Sequence, residues 1–117
     1  MTMLIMYSIA SCDTCRKAGR WLDGQGIGYE KVDLRASPPD SARLERWLES
    51  VGADRLINRR STTWRGLSED QRARAEGPGA AELLAENPTL IKRPVFDDGS
   101  SVLTGFDDTV RAWLADR

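Results

Sequence analysis

The order of periodicities at the start of the chain constrains its fold more than any other feature. Residues 3–9 form an apolar run short enough for a buried strand, and residues 27–34 (IGYEKVDL) alternate like a half-buried one. Between them, Ala18, Trp21 and Leu22 recur at helical spacing. Ser11, Cys12, Asp13, Thr14 and Cys15 supply a polar helix start, and Gly24 and Gly26 a stop. Strand, helix and strand in so short a stretch make a β–α–β unit, whose two strands lie parallel.

The rest of the chain must pack onto that unit. Pro38 and Pro39 end it, and Asp40 or Ser41 can cap the next helix. Leu44, Trp47, Leu48 and Val51 fall at i, i+3, i+4 and i+7, one face of an amphipathic helix ending at Gly52. Residues 53–67 read as a short turn (DRLINRR) and a polar loop (STTWRGL), residues 68–76 as a polar helix, and residues 79–87 as a short helix stopped by Pro88. Pro94 precedes a short strand at Val95 and Phe96, and Asp98-Gly99 is a two-residue hairpin signal. Residues 101–104 return as the partner strand. Gly105 breaks it, Asp107 or Asp108 can cap a last helix, and Val110, Trp113 and Leu114 form that helix's stripe. The order β-α-β, helices, β-β-α predicts an α/β thioredoxin-like fold with a mixed four-stranded sheet. The 117 residues fit one domain, with a helical insertion at about 40–88.

Composition narrows the chemistry. The net charge of −1 gives no global attraction to nucleic acid or anionic membrane. No apolar run approaches the ~20 residues of a membrane span, and the opening MTMLIMYSIAS shows no basic leader or small-residue cleavage site. The expectation is a cytoplasmic protein, where thiols stay reduced and two nearby cysteines are reactive rather than structural. The chain contains no histidine, which removes Cys-His and Ser-His nucleophile pairs and histidine metal ligands. No metal site is expected.

The chemistry therefore falls to the thiols. Cys12 precedes a helix whose unpaired N–H groups and dipole favour a thiolate, and Cys15 lies one turn inside. Cys12 is the expected nucleophile and Cys15 the resolving thiol that attacks a mixed disulfide. Arg16 and Lys17 favour the thiolate while Asp13 opposes it, a balance the sequence leaves open. In a thioredoxin-like fold the proline in the position of Pro94 is typically cis and faces the active cysteine. Arg93 would then bring its guanidinium near Cys12, to steady the thiolate or an anionic ligand. Residues 56–60 (LINRR) read equally as a cationic helix end and as a ligand-binding cluster. Trp21, Trp47 and Trp113 fall on core stripes. Trp64 reads as a partner contact or a cover for the core, and residues 72–74 as a solvated face.

With these pieces assembled, the chain resembles the arsenate reductase/Spx family over nearly its whole length. The resemblance rests on SIASCDTCRKA, LINRRSTTWRGL, NPTLIKRPV and VLTGFDD, in that order. It implies the same thioredoxin-like core with a helical insertion. Cys12 matches the single catalytic cysteine of glutathione- and glutaredoxin-linked arsenate reductases, and Arg93 matches one of the arginines around the oxyanion. Two further arginines of that group fall at Asn58, beside Arg59 and Arg60, and at Gly105. Each missing charge-assisted hydrogen bond is worth ~1.5–3 kcal/mol. TTWR and GF look more like an uncharacterised reductase-like branch, for which glutathione-dependent thiol reduction has been suggested. The Cys-x-x-Cys resembles that of the Spx regulators, which use it as a redox switch and bind the RNA polymerase alpha subunit. The leading expectation is a thiol–disulfide oxidoreductase acting through Cys12 and Cys15, with Arg93, Asn58 and Arg60 stabilising the thiolate or substrate and Pro94 structural. Glutathione or a thioredoxin-type reductant would serve as co-substrate, with no bound cofactor. A regulator docking on RNA polymerase and an authentic arsenate reductase are the alternatives.

Overall fold

The computed structural model describes residues 3–117; the first two residues of the opening read above for a leader lie outside them. In chain order the elements are β1 (Ile5–Ser8), α1 (Asp13–Gly24), β2 (Glu30–Asp33), α2 (Ser41–Val51) and α3 (Ala53–Leu56). They continue with α4 (Thr62–Arg65), α5 (Glu69–Ala73), α6 (Ala80–Glu86), β3 (Val95–Asp97), β4 (Val102–Thr104) and α7 (Asp108–Ala115). Short 3-10 turns follow α5 and α6, at Arg74–Glu76 and Pro88–Leu90.

The chain divides into two compact units. The first joins the residues up to Asp33 with Arg93–Arg117 and contains the sheet, in the order β2-β1-β3-β4. β1 runs parallel to β2, with Tyr7 opposite Val32, as the β–α–β reading requires. β3 is antiparallel to both β1 and β4, with Phe96 opposite Met6 on one side and Leu103 on the other. The mixed sheet of the thioredoxin-like fold is thus complete with four strands. Leu4, Met6, Ala18, Leu22, Phe96, Val110 and Leu114 make its core, joining β1, α1, β3 and α7. Trp21, Tyr29, Leu103, Phe106 and Trp113 pack against that core half-buried. Trp21 meets Phe106 edge to face, centroids 5.7 Å apart. Fully burying each large apolar side chain contributes roughly 1.5–3 kcal/mol, which holds α1 in register on the sheet.

The second unit, Leu34–Lys92, is helical. Asp40 caps α2 by accepting from the Arg43 N–H at 2.9 Å, and α2 buries Leu44 and Trp47 as the stripe predicts. α2 packs against α6, whose Leu83 and Leu84 are fully buried. An isolated bridge pairs Ile57 with Ile91, with Asn58 N–H on Leu90 O (2.9 Å) and Lys92 N–H on Leu56 O (2.7 Å).

Three local readings are corrected. STTWRGL contains a helical turn, α4, because the Ser61 hydroxyl accepts from the Trp64 N–H at 3.1 Å. The β3–β4 hairpin turns over residues 98–101 instead of two residues. The Asp98 carboxylate accepts from both Ser100 and Ser101 N–H groups, at 2.9 and 2.7 Å, which lengthens the loop. Residues 72–74 are not a freely solvated face: Arg72 donates to Trp64 O and Arg65 O, and Arg74 pairs with Glu86 at 2.6 Å.

Candidate active site

Cys12 occupies the N-cap of α1, in an extended conformation (φ −87°, ψ 117°), after a turn closed by its N–H on Ile9 O at 3.0 Å. The abrupt passage from the last residues of β1 into α1 fixes this position. Its side chain is part-exposed, whereas Cys15 is only 3% exposed on the inner face of α1. Both thiols are free. Arg93 and Pro94 enter the same unit at the start of β3, and the Arg93–Pro94 peptide is cis. Pro94 is buried, and its carbonyl accepts from the Gly105 N–H at 2.8 Å, tying β3 to the end of β4.

The two thiols are displaced in opposite directions. Partial burial alone would raise the Cys12 thiol. The Cys15 backbone and side chain and the Arg93 guanidinium, all directed at its sulfur, outweigh burial and hold it below its ordinary value. For Cys15, burial dominates and the neighbouring Cys12 adds to it, pushing the thiol up to about 12 against the opposing influences of the Ile9 backbone and Arg93. One sulfur is prepared as a thiolate and its neighbour is kept as a proton-bearing donor to it. Asp13 and Arg16 form an exposed ion pair with one another, and Arg16 holds the Asp13 carboxyl below its ordinary value. The opposition between Asp13 and its basic neighbours is thus largely local, and the influences that lower Cys12 against burial come from Cys15 and Arg93.

Asn58, Arg59 and Arg60 lie in the second unit. The Asn58 side chain accepts from the Arg60 N–H at 3.1 Å, and the Asn58 carbonyl accepts from the Ser61 hydroxyl at 2.7 Å, so Asn58 shapes its own turn. Arg59 reaches Asp54 at 3.3 Å and stacks on Trp64, with Arg72 also stacked on that ring. Trp64 is thus half-buried with two guanidinium groups against its ring, while Arg60 remains exposed. Gly105, at φ 88°, has a backbone that disfavours any side chain. Among the described residues no group of three or more His, Cys, Asp or Glu is arranged to hold a metal, and no helix is long and apolar enough to cross a membrane.

Sequence reasoning passed over a cleft of about 280 Å³ beside Cys15, between α1 and the Tyr29–Lys31 edge. Its one legible signal is Gly19, a glycine inside a helix. A Cβ there would lie 3.1 Å from the Tyr29 hydroxyl, and the close approach explains a residue that otherwise costs ~1 kcal/mol in a helix.

The match to known proteins covers this whole arrangement. A family model described as the ArsC family matches residues 7–112, from β1 into α7. The chain belongs to the ArsC family. An uncharacterised protein of Haemophilus influenzae is 40% identical over 106 residues, 91% of this chain and 93% of that protein. The global transcriptional regulator Spx of Streptococcus agalactiae is 30% identical over 115 residues, 96% of this chain and 83% of that protein. The solved structure of an arsenate reductase (ArsC) related protein from Brucella melitensis superposes with a TM-score of 0.75 at 34% identity, covering 95% of this chain and 92% of that one. This ArsC-family member therefore has both reductase-related and regulator relatives over nearly its full length.

Proposed function

We propose that this ArsC-family protein is a thiol–disulfide oxidoreductase that reduces a disulfide, a glutathione mixed disulfide or a small oxidised substrate through Cys12. The observation that carries the reading is the opposite displacement of two adjacent thiols, Cys12 toward thiolate and Cys15 up to about 12. The Cys12 thiolate attacks one sulfur of the substrate disulfide, forms a mixed disulfide and expels the other sulfur as a thiolate. Once Cys12 is bonded, the part of the Cys15 rise that the Cys12 charge adds to burial is gone, and Cys15 loses its proton more readily. Cys15 then attacks Cys12, closing the Cys12–Cys15 disulfide and releasing the second product thiolate. Two equivalents of a thiol such as glutathione, or one thioredoxin-type dithiol, return both cysteines to the reduced state and are themselves oxidised to a disulfide.

Arg93 steadies the anionic sulfur at each stage, since its guanidinium is charged at every relevant pH. In the second unit, Asn58 holds its own turn and leaves Arg60 exposed beside it, available to an anion. Residence in the cytosol, where thiol reductants are abundant, belongs to the same reading.

The test is NADPH consumption in a glutathione and glutathione-reductase coupled assay, run in parallel with a small mixed disulfide and with arsenate. Turnover of the disulfide is expected, vanishing in Cys12→Ser and falling roughly tenfold to a hundredfold in Arg93→Ala, for one charge-assisted bond. Arsenate turnover is expected to be absent, because Asn58 and Gly105 carry no guanidinium. No turnover of any disulfide with glutathione or with a thioredoxin system contradicts the proposal.

The Spx relative and the shared Cys-x-x-Cys favour one second reading, a redox-switched regulator. Binding to the RNA polymerase alpha subunit that changes between the dithiol and disulfide forms supports it. Absence of binding in both forms dismisses it.

A further inference from the structure

The cleft beside Cys15 is chemically distinct from the Cys12 side of the site. Ser8, Gly19, Arg20, Asp23, Tyr29 and Lys31 contribute to its lining. Ser8 is only 3% exposed, yet neither its hydroxyl nor that of half-buried Tyr29 makes a side-chain hydrogen bond among the described residues. Both hydroxyls therefore open to the cleft, free to meet a ligand or water. The charges are equally specific. Arg16 is occupied by Asp13, whereas Arg20 and Lys31 form no ion pair among the described residues. Asp23 is the only carboxylate in the lining among the described residues. Two cations, two hydroxyl donors and one carboxylate thus meet in a space suited to a small molecule.

We propose that this cleft binds an acidic amino acid, or a peptide end of the same chemistry, with its two carboxylates at Arg20 and Lys31 and its ammonium at Asp23. The Ser8 and Tyr29 hydroxyls donate to carboxylate oxygens, and Gly19 keeps the floor open. Cys15 only lines the wall and Cys12 takes no part, so binding to the reduced chain does not depend on the redox reading.

The test is a titration of the reduced full chain with L-glutamate, followed through backbone amide chemical shifts. Saturable shifts are expected at Ser8, Gly19 and Lys31, in the wild type and in Cys12→Ser alike. The double variant Arg20→Ala, Lys31→Ala is expected to bind at least about tenfold more weakly, the loss of more than one charge-assisted contact. Both side chains are exposed, so its unchanged spectrum elsewhere verifies the fold. Glutarate, with the same carboxylates and no ammonium, is expected to bind more weakly than glutamate. Absence of saturable shifts at these amides, equal binding by the double variant, or glutarate binding as tightly as glutamate each overturns the proposal.

Discussion

Cys12 and Cys15 are separated by one helical turn and differ in everything that decides reactivity. Cys12 sits where α1 offers unpaired N–H groups, and Arg93 adds a permanent positive charge. Cys15 is buried, with an adjacent sulfur that becomes negative. Alkylating reagents attack the thiolate, so a lowered pKa brings the reactive form to lower pH. The rate of iodoacetamide labelling at Cys12 is therefore expected to rise through a midpoint below the ordinary 9.0. Arg93→Ala is expected to move that midpoint upward, while Cys15 stays unlabelled in the native protein at pH 8. A midpoint at or above 9.0, or one indifferent to Arg93, would contradict the assignment. The sequence alone suggests the roles proposed for Cys12 and Cys15, since the spacing and the helix start are visible in it. The approach of Arg93, by contrast, came from analogy to the fold, because no local pattern links residues 12 and 93.

At the scale of elements, backbone geometry decides what the site can hold. Gly105 lies at the end of β4 with φ 88°, buried, and bonded through its N–H to Pro94. Its counterpart by resemblance in the arsenate reductases is an arginine, yet a side chain in this conformation is strained by ~1–3 kcal/mol. Gly105→Arg is thus expected to lower stability by about that amount in urea unfolding and to yield no arsenate turnover. Unchanged stability would show that the backbone adjusts freely. Helix starts were legible wherever a capping residue precedes a long stripe, as Asp40 does for α2. The four-residue α4 has no stripe to read, and its cap Ser61 looks like any loop serine. The β3–β4 turn was mislaid for a related reason: the Asp98-Gly99 pair signals a tight turn, but the Asp98 carboxylate draws in two further N–H groups.

For the whole molecule, the parallel β1–β2 pair and the antiparallel β3–β4 hairpin follow from patterns local in sequence. The β1–β3 pairing joins strands some ninety residues apart and required a topological argument, that a β-β-α tail completes the sheet of a β-α-β opening. The cleft beside Cys15 was illegible because it is made by residues from β1, α1 and the β2 edge whose separate patterns are ordinary. The proposed redox cycle belongs to the intact chain, since it calls on α1, the start of β3 and a reductant together. The most direct measurement of it is intact-mass spectrometry after mixing the reduced protein with a small mixed disulfide. The wild type is expected to pass to a Cys12–Cys15 disulfide with both product thiols released, and Cys15→Ser to accumulate the substrate half bonded at Cys12. An adduct on Cys15, or Cys15→Ser remaining unmodified under conditions that oxidise the wild type, would contradict the account.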